Sequence, residues 1–240
     1  MTKLSSDNPA VKYSYDSEKV YICDEGIYYN PTSIEMQKLI LNGIKEIVTN
    51  YDVDGIHIDD YFYPTTETKI DATAYDRYID AGGESALDEW RVWNVNSLIS
   101  GIYSTVKSVD KNVIVSISPS GDINKNLTKL YADTKEWMCN VGYCDWIVPQ
   151  LYFGFHNEYL PFEEALSEWL NLCKNPKCKI IIGLACYKCN EKDTYAGNGE
   201  DEWVNDGTVL KRQIQILKEK KVYGYALFSY KYVIQNCNLL

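Results

Sequence analysis

Histidine is nearly absent from the chain, which has only His57 and His156 among its 240 residues. A metal centre built from several imidazole ligands is therefore not expected. The phosphate-binding patterns G-x-x-x-x-G-K-S/T and G-x-G-x-x-G are missing, as is the G-x-S-x-G elbow of α/β-hydrolases. These absences leave no sign of nucleotide-dependent or serine-hydrolase chemistry, and we predict no cofactor.

A long apolar run is also absent. No stretch approaches the roughly 18 apolar residues from which a membrane span is inferred. The first residues, MTKLSSD, lack the apolar core of a secretory signal peptide. We therefore expect no membrane span and a cytoplasmic location for the chain as given. An extracellular or cell-envelope location is the alternative if the natural amino terminus lies further upstream.

Basic side chains are outnumbered by acidic ones, 24 Lys and Arg against 34 Asp and Glu, for a net charge of −10. Because nucleic-acid binding depends on basic contacts to phosphates, we expect no nucleic-acid partner. Glycans of little charge are compatible with this balance. The 21 Tyr and 6 Trp residues offer aromatic faces of the kind that sugars contact, although most of these rings are expected in the core.

Eight cysteines are present, which in a chain this long does not indicate a small disulfide scaffold. Cys186-x-x-Cys189 has the spacing of half a zinc site, and Cys173 with Cys178 is the candidate for the other half. The second pair does not have zinc-ligand spacing. Reduced thiols or an incidental disulfide are therefore favoured, and we predict no metal site.

Apolar strands alternate with helical patterns along the chain. The strands are predicted near 20–22 (a short extended piece), 55–59, 113–118, 145–152, 179–184 and 222–228, with helices near 32–49, 88–106, 127–139, 162–172 and 208–220 and a polar loop over 64–87. Strands rich in Val, Ile and Leu between helices indicate a parallel sheet covered by helices.

A closed (β/α)8 barrel needs eight such strands, and about five βα units are visible here. The fold class predicted is therefore α/β, an incomplete (β/α)8 barrel of the TIM type, with an open α/β sheet as the alternative. We expect residues 1–240 to form one domain. The open sheet edges of an incomplete barrel favour self-association.

The segment DGIHIDDYFYP (54–64) is the strongest indication of a site. Side chains alternate along a strand, so His57, Asp59 and Tyr61 are predicted to face the barrel mouth. Asp60 has the opposite parity, but it stands where the strand becomes a loop and can turn inward. Active sites of parallel α/β folds lie at the carboxyl ends of strands, which makes Asp59 and Asp60 the candidate catalytic carboxylates. The alternatives are that they cap the loop or pair with Arg91, and that His57 is a hydrogen-bonded core residue.

Neighbouring strands end in further polar residues. Gln150 and Tyr152 share the parity that directs them toward Asp59, and Ser116 and Ser118 share a face of the preceding strand. These groups suit the binding of sugar hydroxyls, although barrel packing with a local hydrogen bond explains the serines equally well. The last two strands are apolar on both faces, and we note only Tyr187 and Tyr230 at their ends as weaker candidates.

The segment DGIHIDDYFYP resembles the signature of the glycosyl-hydrolase-like family 10 domain. Other similar segments stand in the family's order over residues 18–232, the first of them upstream of this one: Tyr29-Asn30-Pro31, Asp88-Glu89-Trp90-Arg91 with Asn94, Ser116-Ile117-Ser118-Pro119 with Gly121, Tyr131-Ala132-Asp133-Thr134 with Trp137, and Asp145-Trp146-Ile147-Val148-Pro149-Gln150-Leu151-Tyr152. Asp59 and Asp60 match the family's paired aspartates, and Gln150 and Tyr152 match its P-Q-x-Y segment.

The resemblance implies a (β/α)-barrel that hydrolyses O-glycosidic bonds in a bacterial cell-wall glycan or related polysaccharide by carboxylate acid/base chemistry. The expected substrate-binding residues are His57, Tyr61, Arg91, Asn94, Ser118, Gln150, Tyr152 and Tyr187. The chain departs from the family by lacking its first strands and by having Ser120 where an aromatic residue is usual. A fainter similarity to family 18 chitinases fails at Tyr61, which stands in place of their catalytic Glu.

Glycoside hydrolysis normally needs two carboxyl groups. We expect Asp59 to be one, with Asp60 as the second or as a group that tunes the first by charge repulsion. The other possibilities are a partner in the missing strands and, more weakly, Asp122. The alternative functions are a non-catalytic carbohydrate-binding protein and an inactive barrel fragment.

Overall fold

The computed structural model describes residues 4–23, 26–60 and 62–235. Within them, the β-strands are β1 (Val20–Cys23), β2 (Gly26–Tyr29), β3 (Gly55–Ile58), β4 (Ile114–Ile117), β5 (Trp146–Ile147), β6 (Lys179–Ala185) and β7 (Gly224–Phe228). The α-helices are α1 (Pro9–Lys12), α2 (Ile34–Asn50), α3 (Ala72–Asp80), α4 (Leu87–Val109), α5 (Ile123–Lys129), α6 (Thr134–Cys139), α7 (Phe162–Asn171), α8 (Glu202–Asn205), α9 (Val209–Glu219) and α10 (Tyr230–Gln235).

Five strands form one sheet in the order β3-β4-β5-β6-β7. The sheet is parallel and curled into a half-barrel, consistent with an incomplete TIM barrel. Each strand lies beside the next one in the sequence, as successive right-handed βα units require. The predicted α/β class and the five parallel strands are thus confirmed. The short extended piece at 20–22 is instead part of an antiparallel hairpin, in which β1 pairs with β2.

The chain divides into two compact units. The first comprises the described residues of 1–56, 61–113 and 127–133. In it, α2 packs against α4, and the buried side chains recur at helical spacing. They include Met36 and Val48 on α2 and Val95, Ile99, Ile102 and Val106 on α4. The buried face of α4 thus has the helical periodicity on which its prediction rested, whereas on α2 only Met36 and Val48 are buried, and its apolar Ile34 and Ile47 are 69% and 42% exposed.

The second unit comprises the described residues of 57–60, 114–126 and 134–240. Its core is formed by the central strands, whose apolar side chains are almost fully buried: Val115, Ile117, Ile147, Ile182 and Leu184. Trp137, Trp169 and Trp203 are buried as well. The edge strands β3 and β7 are more exposed than the central ones, because each has a sheet neighbour on only one side.

Three elements differ from their predictions. The supposed polar loop over 64–87 contains a 3-10 turn, Thr68–Ile70, followed by α3. The single helix predicted over 127–139 is two helices, α5 and α6, separated by a segment in which Tyr131 has a left-handed φ of 53°. The strand predicted over 145–152 is regular only at Trp146–Ile147, because Pro149 has no N–H to continue the ladder.

One disulfide joins Cys139 at the end of α6 to Cys173 just after α7. The alternative zinc site is contradicted, because Cys173 is occupied by this bond. Among the described residues, no three His, Cys, Asp or Glu side chains are grouped so as to hold a metal ion. No helix in the described ranges combines the length and the apolar character needed to cross a membrane.

Candidate active site

The carboxyl ends of β3, β4 and β5 bring together the polar residues of the second unit. Asp59 and Asp60 directly follow β3. Gln150 comes from the irregular continuation of β5, where it bridges Ser120 on one side and Gly183 on the other. Its backbone N–H donates to the carbonyl of Pro119 at 3.0 Å. The backbone of Gln150 is thus bonded to both neighbouring segments, which fixes the position from which its side chain extends.

The side-chain amide of Gln150 links the strand ends. Its Nε2 atom lies 2.6 Å from Oδ1 of Asp59, 3.1 Å from the carbonyl oxygen of Ser118 and 3.4 Å from the Ser118 hydroxyl. It also hydrogen-bonds to the carboxylate of Asp60. Because an amide N–H only donates, these contacts orient the acceptor oxygens of both carboxylates.

A close backbone approach places Gln150 here. A Cβ atom added to Gly121 would lie 2.4 Å from the carbonyl oxygen of Gln150 and 2.7 Å from the ring of Phe153. Gly121 is also held by the buried Trp169, whose Nε1 donates to the Gly121 carbonyl oxygen at 2.7 Å. Only glycine fits between the two segments, which accounts for the Gly121 in the sequence motif.

The two carboxylates have different environments. Asp59 is exposed, whereas Asp60 is half-buried. Burial raises the pKa of Asp60 above its ordinary value, and the neighbouring charge of Asp59 raises that pKa further. Lys125 and the amide of Gln150 act in the opposite direction without cancelling the rise. Asp60 therefore keeps its proton to a higher pH than a solvated aspartate does.

His57 and Ser118 occupy fixed positions on the neighbouring strands. Nδ1 of His57 is hydrogen-bonded to the Ser116 hydroxyl at 2.9 Å, and His57 is exposed. The hydroxyl of Ser118 is buried and donates to the carbonyl of Val148 at 2.9 Å. The serines thus make the local hydrogen bonds that sequence reasoning kept as an alternative to sugar binding.

Aromatic rings extend the site along the strand ends. Tyr152 follows β5, Tyr187 lies in the 3-10 turn after β6, and Phe228 is the last residue of β7. The centroids of the Tyr152 and Tyr187 rings are 5.8 Å apart. Burial raises the pKa of Tyr152, and the charges of Asp59 and Asp60 raise it further. The phenol of Tyr152 therefore stays protonated and is close enough to both carboxylates to sense their charge.

Two predicted binding residues, Arg91 and Asn94, lie in the first unit. Arg91 is buried and forms a two-pronged ion pair with Asp71, with Nη2 2.6 Å from Oδ1 and Nε 2.7 Å from Oδ2. It also donates to the Tyr131 hydroxyl at 2.7 Å. Asn94 is buried, and its amide donates to the carbonyl of Trp90 on the same helix at 2.8 Å. Tyr61 falls outside the described residues.

Sequence reasoning missed Lys125 and Phe228. Lys125 lies in the first turn of α5, and a lone lysine in an ordinary helix gives no sequence signal. Phe228 belongs to a strand that is apolar on both faces, so alternation could not indicate its direction. Its place as the last residue of a strand at the carboxyl edge of the sheet was the one available signal.

Two carboxylates with different environments, joined by one amide donor, have the elements of an acid/base pair. The raised pKa of Asp60 favours the protonated form that a general acid needs, and the exposed carboxyl of Asp59 stands beside it. The exposure of Asp59 leaves room for a reacting group beside it. Paired carboxyl groups in different environments are used in several general acid/base hydrolyses, of which glycoside hydrolysis is one.

Comparisons with known proteins found one matching family and several similar curated proteins. The model of the family described as glycosyl hydrolase-like 10 matches residues 1–205. The chain is 32% identical over 236 residues to glycosyl hydrolase YngK of Bacillus subtilis (strain 168), covering 91% of this chain and 45% of that protein. It is 27% identical over 248 residues to glycosyl hydrolase DigH of Escherichia coli (strain K12), covering 95% and 55%. The chain thus spans about half the length of these curated relatives.

Proposed function

Because the chain belongs to the glycosyl hydrolase-like 10 family, we propose that it hydrolyses O-glycosidic bonds in a bacterial cell-wall glycan or a related polysaccharide. The observation that carries the proposal is the pair Asp59 and Asp60 at the end of β3, joined by Gln150. The relatives named above are themselves called glycosyl hydrolases. The polysaccharide class is suggested by the sequence resemblance and by the acidic, aromatic-rich composition.

In the proposed reaction, Asp60 is the general acid. Burial and the charge of Asp59 favour its protonated form, so it can protonate the glycosidic oxygen as the bond breaks. Asp59, which is exposed and accepts the Gln150 amide at 2.6 Å, acts as the base that activates water or as the nucleophile. The Gln150 amide holds both carboxylates while the proton moves between protein and substrate.

The residues proposed to contact the sugar around this pair are Tyr152, Tyr187 and His57, whereas the Ser118 hydroxyl is buried and bonded to the Val148 carbonyl. His57 has one nitrogen engaged by Ser116, which leaves its other nitrogen for a sugar hydroxyl. Tyr152 keeps its hydroxyl proton and can donate or accept a hydrogen bond.

The test is release of reducing ends from peptidoglycan strands and plain polysaccharides by the parent chain, Asp59→Asn and Asp54→Asn. Asp54 is the matched control, because it is an exposed aspartate next to the opposite end of the same strand. Release by the parent and Asp54→Asn, with loss in Asp59→Asn, supports the proposal. Release that is equal in all three chains, or absent from all of them, overturns it. Binding without release by the parent would favour the carbohydrate-binding alternative.

A further inference from the structure

Three aromatic rings from consecutive strands meet at the carboxyl edge of β5, β6 and β7. The Phe228 ring lies nearly parallel to that of Tyr152, at 25° with centroids 6.1 Å apart. Tyr187 stands perpendicular to both rings, at 88° to Tyr152 and 89° to Phe228. The rings thus form a defined group in which Phe228 is packed against two neighbours.

Phe228 is nevertheless 53% exposed. Large aromatic side chains usually bury most of their surface, because removing their apolar area from water stabilises the folded protein. A phenylalanine held by two neighbours and left half open to solvent therefore presents an apolar surface that its own unit does not cover. Sugars have apolar C–H faces that pack on such rings, with hydroxyl groups at the rim.

The support beneath the rings is rigid. Nζ of Lys188 donates to the carbonyl oxygen of Tyr152 at 2.7 Å and to the carboxylate of Asp193 at 2.5 Å. The side chain of Lys188 is 14% exposed and that of Asp193 is 1% exposed. This buried ion pair fixes the residue after Tyr187 to the backbone of Tyr152. Rings that are held in place before a ligand arrives lose little conformational freedom on binding.

The group also adjoins the carboxylates. Tyr152 is two residues after Gln150, whose amide contacts Asp59. We infer that Phe228, supported by Tyr152 and Tyr187, is the stacking platform for one pyranose ring of the glycan, in a subsite next to Asp59. The class of ligand rests on the proposed function. The geometry of the rings does not depend on it.

The test uses soluble β-1,4-linked N-acetylglucosamine oligomers and cello-oligosaccharides as probes. Binding is measured by calorimetry in the Asp59→Asn background, where turnover does not interfere, for Phe228→Ala, Phe228→Trp and Tyr195→Ala. Tyr195 is the matched control, because it is 85% exposed. We expect Phe228→Ala to weaken binding about ten-fold, Phe228→Trp to restore it and Tyr195→Ala to leave it unchanged. In the active chain, Phe228→Ala should raise KM more than it lowers kcat.

Equal affinity of Phe228→Ala and its parent, or binding of neither class of probe, overturns the platform. The first of these results leaves the proposed function intact if Asp59→Asn still abolishes hydrolysis. Conversely, if the parent chain hydrolyses no glycan but its binding of a probe depends on Phe228, the stacking proposal stands and the proposed hydrolase function is wrong.

A second inference rests on different residues, Cys144 and Cys178. The Cys139–Cys173 disulfide joins the end of α6 to the segment after α7. Two backbone hydrogen bonds link the same parts of the chain. The Lys177 N–H donates to the Met138 carbonyl at 2.7 Å, and the Lys179 N–H donates to the Asp145 carbonyl at 2.8 Å. Cys144 and Cys178 each lie five residues beyond a bonded cysteine. They are 5% and 7% exposed, they directly precede or follow the residues of these backbone bonds, and each shifts the pKa of the other thiol. The Cys144 sulfur lies 4.0 Å from the carbonyl oxygen of Trp137.

We propose that Cys144 and Cys178 form a second disulfide, parallel to the first, when the chain folds under oxidising conditions. The two thiols would lose two protons and two electrons to a small disulfide such as oxidised glutathione, which becomes two thiols. The new bond would join the same two segments at the amino ends of β5 and β6, opposite the candidate active site.

The test refolds the reduced chain in oxidised or reduced glutathione, blocks remaining thiols by alkylation and maps the peptides by mass spectrometry. The expected result in oxidised glutathione is a Cys144–Cys178 crosslinked peptide that is two hydrogens lighter than its thiol form. The Cys144→Ser variant should then show an alkylated Cys178. Full alkylation of Cys144 and Cys178 in oxidised glutathione, or a stoichiometric metal ion bound by the reduced chain, overturns the proposal.

Discussion

Gln150 donates its side-chain amide to Asp59, with 2.6 Å between Nε2 and Oδ1. The hydrogen bond crosses from the end of β5 to the end of β3, two strands that are separated in the sheet by β4. A charge-assisted bond of this kind is stronger and more directional than one between neutral groups. Gln150 therefore sets the position of the carboxylate on which the proposed reaction depends.

Replacing Gln150 by Leu keeps a side chain of similar volume and removes the donor. We expect the rate of glycan hydrolysis to fall about 10- to 100-fold, because the carboxylates lose their common partner and shift relative to the substrate. The measurement is kcat/KM on the substrate identified above. Gln215→Leu is the control, since Gln215 is exposed on α9 and bonded to Glu219. Equal losses in the two variants would contradict a specific role for Gln150.

Asp60 gives a prediction about pH. Its pKa is raised in the folded state, so folding is favoured by its protonated form, and this contribution is lost as the pH rises through the raised pKa. Asn cannot ionise. We therefore expect the Tm of Asp60→Asn minus that of the parent to increase from acidic to neutral pH. Thermal unfolding followed by circular dichroism at several pH values measures this difference. A difference that stays constant or shrinks with pH would show that folding does not raise the pKa of Asp60.

Periodicity explains which parts of the fold could be predicted from the sequence. Strand alternation predicted that His57 and Asp59 share one face at β3, and both are exposed. Helical spacing identified the buried face of α4 but not that of α2, where Ile34 and Ile47 are exposed. Both signals are local, because they depend on backbone geometry within one element. The same alternation directed Gln150 toward Asp59, which its side-chain amide contacts.

Contacts between distant segments could not be predicted in this way. Arg91 was considered as a partner of Asp59 and Asp60 or as a sugar-binding residue, and the structure pairs it with Asp71. Asp71 lies in the segment read as a loop, where no periodicity indicates which side chain turns inward. The side to which the Phe228 side chain points could not be predicted either, because a strand that is apolar on both faces has no alternation of polar and apolar residues.

The Arg91–Asp71 pair is a test of stability. Both side chains are fully buried, with exposures of 1% and 0%. Removing one partner leaves an uncompensated buried charge, so Arg91→Met is expected to destabilise the chain by about 3–5 kcal/mol. Arg77→Met is the control, because the Arg77 side chain is 61% exposed in its ion pair with Glu18, and such pairs contribute less than about 1 kcal/mol. Urea unfolding compares the two. Similar losses would indicate that Arg91 is not the buried anchor.

Replacing Gly121 by Ala and replacing Gly43 by Ala are expected to have opposite effects on the free energy of unfolding. A Cβ at Gly121 would lie 2.4 Å from the backbone oxygen of Gln150, whereas a Cβ at Gly43, within α2, would meet nothing within 4 Å. Gly121→Ala is expected to destabilise the chain by about 1–3 kcal/mol, since backbone atoms must shift. Gly43→Ala should stabilise it by about 0.5–1 kcal/mol, because alanine is the better helix former.

The Gly121→Ala and Gly43→Ala variants also distinguish an effect on activity from an effect on stability. The shift forced by Gly121→Ala moves the residue that holds Asp59, so hydrolysis should fall even at temperatures where the variant is fully folded. Gly43→Ala should retain the activity of the parent. Urea unfolding together with kcat/KM on one substrate measures both effects. A Gly121→Ala variant that is destabilised but fully active would show that the position of Gln150 does not limit the reaction, and the amide of Gln150 would then have only a structural role.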